Sequence, residues 1–163
     1  MVVRRTTHQR GAQTGSQSHH ARLSRRLRLQ PAFVNGEPFH GVVVSGSGEA
    51  RQFVALEWFR AAVCQATGFD PYPGTLNLRL MNDDAIRRWR ATRELRGLWL
   101  TPPALDACGG RLVRCVVEDR LEAAVVLPDV TRYGDDVLEL VAAVHLRAYL
   151  GLTDGDEVAV ACG

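Results

Sequence analysis

The apolar residues of this chain fall in short runs divided by glycine and proline, and that pattern most constrains the fold. Gly41–Ser45 reads GVVVS, a β-branched run that ends in Gly46-Ser47-Gly48. Thr75–Leu80 reads TLNLRL, a strict alternation that puts Leu76, Leu78 and Leu80 on one face and Thr75, Asn77 and Arg79 on the other. Leu112–Val117 and Leu121–Leu127 flank Glu118-Asp119-Arg120 and read as a hairpin. Val137–Ala142 is a further short run. Asp154-Gly155-Asp156 is a tight turn before a closing strand, Glu157–Cys162. One helix is clear, from about Ala55 to Thr67, with Leu56, Phe59, Val63 and Ala66 on its apolar face and Gly68 at its C-terminal cap. Asn82-Asp83-Asp84 is a second helix start, before Ile86 and Trp89, and Leu146–Leu150 has room for one or two helical turns. A doubly wound sheet would need more helices than this, so the expectation is a mainly β chain with one or two helices, closed or nearly closed into a barrel.

Charge divides the chain into two parts. Residues 1–30 hold seven arginines and no acid, whereas the remaining 133 residues hold 13 arginines against 18 acids, a net charge of −5. Residues 1–35 therefore read as a disordered Arg-rich tail, with too little apolar side chain to offset the entropy of ordering it. Residues 36–163 read as one domain. The basic balance belongs to the tail, so the folded part carries no nucleic-acid footprint. All 20 basic residues are arginine. Without lysine the chain cannot build a Walker A loop, a Schiff base or a protein-kinase site by the usual route.

The four cysteines, Cys64, Cys108, Cys115 and Cys162, include no C-x-x-C spacing and read as buried reduced thiols. No apolar run is long enough to span a bilayer, and no secretory h-region follows Arg4 and Arg5. A cytoplasmic protein is expected, with no membrane partner.

Three segments have the residue types for chemistry. In Ser45–Arg51, SGSGEAR, glycines let backbone N–H groups approach an anion closely, although a plain strand-to-loop turn has the same composition. Thr75 and Asn77, two apart on a strand, point the same way. Their neutral oxygens hold Mg²⁺ poorly alone but suffice when nucleotide phosphates supply charge, while the plainer alternative is that both face solvent. Pro128–Arg147 gathers Thr131, Asp135, Asp136, Glu139 and Arg147. Glu139 interrupts an apolar run, where a carboxylate is costly to bury unless paired or used. His145 is a poor base without an orienting partner. Trp58 reads as packing material.

These segments, in this order, resemble the CTP-dependent riboflavin kinases found chiefly in archaea. The resemblance rests on Gly41–Ala50 (GVVVSGSGEA), Thr67–Leu78 (TGFDPYPGTLNL), then Pro128, Thr131, Glu139, Leu146-Arg147 and Leu152–Asp156 (LTDGD). It implies a six-stranded cradle-loop barrel related to the RIFT barrels, and phosphoryl transfer from CTP to riboflavin, giving CDP and FMN. Gly46, Ser47, Gly48, Glu49, Ala50 and Arg51 would hold CTP, together with Val144, His145, Leu146 and Arg147. Thr75 and Asn77 would ligate Mg²⁺ or a similar divalent cation. Thr131 and Glu139 would contact the flavin, with Glu139 as the catalytic residue.

Two departures stand out. Ala50 occupies a position that is usually glycine in the family and would strain the loop if φ there is positive. Residues 81–110 match poorly and fall where part of the flavin pocket is expected. A non-catalytic flavin or nucleotide sensor on the same barrel is the alternative reading. A third reading, nucleic-acid binding, draws on the tail alone. A monomer is expected.

Overall fold

The computed structural model describes residues 36–48, 50–104, 108–130 and 133–163. The Arg-rich tail, Glu49 and Thr131 lie outside the described residues. Seven strands form in chain order: β1 Phe39–Val44, β2 Leu76–Leu80, β3 Leu98–Leu100, β4 Gly110–Val117, β5 Leu121–Pro128, β6 Val137–Ala142 and β7 Glu157–Cys162. All pairings are antiparallel, in the order β3-β4-β5-β6-β2-β1-β7, and β7 returns to β4. Six strands thus close a barrel. β3 is an extra strand on the first half of β4's free edge, whose second half carries β7.

The period-two pattern decides which side chains fill the barrel. Leu76, Leu78 and Leu80 point inward as expected, with Val113, Cys115, Val117, Ala123, Val125, Leu138 and Leu140 from the neighbouring strands. Two helices close the barrel. From α3, Asp83–Arg96, Trp89 packs edge-on against Phe39 with ring centroids 6.2 Å apart. From α4, Leu146–Leu150, Leu146 enters the same core. Truncating a fully buried tryptophan costs about 3–5 kcal/mol, which sets the weight of the α3 contact. Asn82 caps α3, its Oδ1 accepting from the Ala85 N–H at 2.9 Å, as the sequence signal implies. The helix then runs on to Arg96.

A second core lies outside the barrel. α1, Ala50–Val54, and α2, Glu57–Thr67, pack Val54, Phe59 and Val63 onto Leu112, Ala124, Val126 and Val141. Strands covered on both faces read as continuous apolar runs, hence AAVV in β5. The sequence reading placed Leu56 on the helix's apolar face. The structure corrects this: Leu56 is the extended N-cap between α1 and α2, and it is exposed. Gly68 takes the left-handed conformation at φ 84°, as expected of the cap. The hairpin turn after β4 is built differently from a glycine turn, with Glu118 and Asp119 both near φ 50°. Cys64 is exposed and Cys108 half-buried, so only Cys115 and Cys162 fit the expected buried thiols. These two are cross-strand partners where β7 meets β4, and burial pushes the Cys115 thiol well up.

Candidate active site

Alternation in β2 and β6 turns Asn77 and Glu139 out of the barrel, and register makes them neighbours. Val44, Asn77, Glu139 and Val126 are successive cross-strand partners over β1, β2, β6 and β5. This row faces the space beneath the Gly46–Arg51 segment and α1. Asn77 is 4% exposed and is the one buried polar residue among those described, so the solvent-facing alternative fails for it. Its Oδ1 accepts from the Thr75 hydroxyl at 3.3 Å, which brings the two neutral oxygens together. Gly46 lies directly on the Asn77 amide, and a Cβ there would overlap Nδ2. Glu139 is half-buried, and burial raises its carboxyl pKa above the ordinary glutamate range.

A cavity of about 350 Å³ opens over this floor. Gly46, Ser47, Gly48, Ala50 and Arg51 form one wall, Tyr72 to Thr75 another, and His145 and Arg147 a third. The turn at Asp154 braces it. Asp154 accepts from the Ser45 hydroxyl at 2.5 Å and from Arg147 Nη1 at 2.6 Å, while Arg147 Nη2 donates to the Val44 carbonyl at 3.3 Å. The Ser45 hydroxyl and then the Arg147 guanidinium hold the Asp154 carboxyl below its usual range. The His145 ring lies 5.0 Å from that of Tyr72.

A second cavity, also about 350 Å³, continues from the first past Glu139 and is lined mainly by Phe53, Val54, Cys108, Val126, Pro128 and Val130. A third, about 230 Å³, lies between Trp89, Arg93, Trp99 and Arg111. Glu139 and Tyr133 line all three. Residues 81–110 contribute Cys108 to the apolar cavity and Trp89, Arg93 and Trp99 to the third.

Most candidate residues from the sequence converge here. Thr75, Asn77, Glu139, Gly46, Ser47, Gly48, Ala50, Arg51, His145 and Arg147 line one cavity. Leu146 does not present its side chain to the cavity, because it is buried in the barrel core, and Val144 is not among the lining residues. Glu49 and Thr131 fall outside the described residues. Ala50 opens α1 and is absent from the non-glycine residues with positive φ, so the strain that alanine would cause does not arise. Gly48, at φ 79°, is the position that needs glycine's freedom. Sequence reasoning missed Tyr133 and the bracing role of Asp154. Asp154 was legible only as a turn residue, and nothing in the local sequence around Tyr133 signals its reach across to Ser47.

The residues present suit a hard divalent cation only with help. Two neutral oxygens converge at the cavity floor, and no group of three or more His, Cys, Asp or Glu is arranged to hold a metal among the described residues. The phosphates of a bound ligand would supply the negative charge that Thr75 and Asn77 lack.

A closed six-stranded barrel with a glycine-rich segment over two converging oxygens and a half-buried carboxylate defines a barrel protein suited to bringing an anionic ligand against an acid. Comparison with known proteins agrees with that class. The family named CTP-dep_RFKase, described as Domain of unknown function DUF120, matches residues 43–162. A riboflavin kinase of Archaeoglobus fulgidus is 41% identical over 123 residues, 74% of this chain and 52% of its own length. One of Pyrobaculum islandicum is 38% identical over 123 residues, covering 74% and 57%. One of Aeropyrum pernix is 37% identical over 125 residues, covering 74% and 91%. The chain belongs to the CTP-dependent riboflavin kinase family. It spans about half the length of the first two of these relatives.

Proposed function

We propose that this chain transfers the terminal phosphoryl group of CTP to the ribityl hydroxyl of riboflavin, giving FMN and CDP. The observation that carries this reading is the pairing of Asn77 with Glu139 across β2 and β6, at the junction of the polar and apolar cavities. The polar cavity takes the nucleotide and the apolar one the flavin ring, so the two substrates meet at Glu139. Glu139 accepts the proton of the ribityl hydroxyl as its oxygen bonds to the terminal phosphorus and the bond to the CDP oxygen breaks. Backbone N–H groups of the glycine-rich segment and the Arg147 guanidinium hold phosphate oxygens. Thr75 and Asn77 are the residues that would hold Mg²⁺, which when bound neutralises phosphate charge. Riboflavin and CTP are thus the proposed partners. Among the described residues, no helix is long and apolar enough to cross a membrane.

The sensor alternative drew on Ala50, and Ala50's ordinary helical backbone removes that support. The deciding experiment incubates the chain with riboflavin and Mg²⁺, with CTP or ATP in parallel, and separates FMN from riboflavin by chromatography. FMN with CTP and little with ATP is the expected result. A folded chain that binds flavin or CTP and makes no FMN would restore the sensor reading.

Asp154 acts on this site through Arg147. Replacing it by asparagine removes one charge-assisted bond that aims the guanidinium. Asp154→Asn is expected to raise KM for CTP by about threefold to tenfold while kcat stays within about twofold. Steady-state kinetics against CTP would check this, and an equal fall in kcat would show that Asp154 does more than position Arg147.

A further inference from the structure

The glycine-rich segment is not bare in this structure. The Ser47 N–H donates to the Tyr133 hydroxyl at 2.9 Å, and that oxygen lies 3.2 Å from where a Cβ on Gly46 would stand. The phenol oxygen therefore sits against the backbone edge that faces the nucleotide cavity, close to Asn77, where an anion's oxygen would bind. The Tyr133 side chain also lines the apolar cavity and the third one, in both cases together with Glu139. Among the described residues Ser47, Thr75 and Tyr133 carry a hydroxyl in the walls of both substrate cavities, and of these three only Tyr133 also lines the third.

We propose that Tyr133 is a substrate-contacting residue of the phosphoryl transfer, whose hydroxyl gives up the Ser47 N–H to a nucleotide phosphate and then donates to the phosphoryl group in transit beside Glu139. This rests on the kinase reading above and adds a residue to it. The chemistry follows from what a phenol does. Toward Ser47 it is an acceptor, the role that a phosphate oxygen fills better because it carries charge. Toward a phosphoryl oxygen it is a donor, and a donor aimed where charge develops lowers the barrier to transfer. The hydroxyl thus competes with the bound phosphates in the ground state and assists the transferring group. CDP, which has no transferring group, meets only the competition.

The two roles predict opposite effects in one variant. Tyr133→Phe in the full chain, titrated calorimetrically with CDP and Mg²⁺, is expected to bind CDP about threefold to tenfold more tightly, the scale of one ordinary hydrogen bond. The same variant is expected to lose at least about tenfold in kcat with CTP and riboflavin. A structural role would weaken both or change neither. Unchanged or weaker CDP binding in the variant overturns the proposal, and so does an unchanged kcat. Tyr133→Leu, which also lacks the hydroxyl, should show the same fall in kcat; retention of kcat there overturns it as well. A parent chain that binds neither CDP nor CTP overturns the kinase reading and this proposal together. Parent binding with no change in the variant overturns this proposal alone.

Discussion

Glu139→Gln is expected to lower turnover by about 10²–10⁴-fold, the range for removal of a general base, while CDP affinity stays within about twofold. The substitution keeps the side chain's shape and removes only the ability to take the ribityl proton. It should also stabilise the protein. Burial raises the Glu139 carboxyl pKa, so the folded state holds its proton more tightly than the unfolded state does. As pH rises through the unfolded and then the folded pKa, ionisation costs the folded state, and above both the cost is complete. Glutamine has no such cost. A melting temperature higher by roughly 1–3 °C is expected at neutral pH, and the gain should vanish in acid where both states are protonated. Thermal melts at two pH values, run beside the kinase assay, check both halves. Full turnover in the variant would remove Glu139 from proton transfer.

Gly46→Ala is expected to act through Asn77. A methyl group at Gly46 would overlap Asn77 Nδ2, which has little room to move because Asn77 is 4% exposed. The amide must turn, and its Oδ1 leaves the Thr75 hydroxyl. If Thr75 and Asn77 hold the cation, its half-saturating concentration should rise at least about tenfold, with turnover down about 10²-fold at fixed Mg²⁺ and partly restored by excess. The rate measured against Mg²⁺ concentration is the test. The melting temperature should also fall, because the methyl overlaps a buried side chain that must give up its hydrogen bond to make room. An unaltered Mg²⁺ dependence would mean that the metal does not sit on Asn77.

Much of this site was legible before any coordinates. The alternation of β2 already set Thr75 and Asn77 on the face opposite Leu76, Leu78 and Leu80, and an isolated acid in the Val137–Ala142 run marked Glu139 as unusual. Local composition carries such facts because the period of a strand and the cost of a buried charge act residue by residue. The Asn82 cap and the Gly68 stop were legible for the same reason. The break at Leu56 was not. Leu56 has the right spacing for the apolar face of α2, yet the chain must bend there for Val54 and Phe59 both to reach the outer face of β4 and β5.

What the sequence by itself determined is the alphabet of short strands, the sides their residues take, and the glycines that let a backbone approach an anion. Only the tertiary structure decided which of those residues meet. The pairing of Asn77 with Glu139 joins positions 62 apart, and the contact of Ser47 with Tyr133 joins positions 86 apart. Neither spacing has any local signature. Barrel closure, with β7 returning to β4 and β2 inserted between β6 and β1, sets both the register and the outer surface on which the cavities form. Whether an asparagine on the outward face of a strand is solvated or buried depends on what crosses over that face. Here Gly46 crosses it, close enough that only a residue without a Cβ fits.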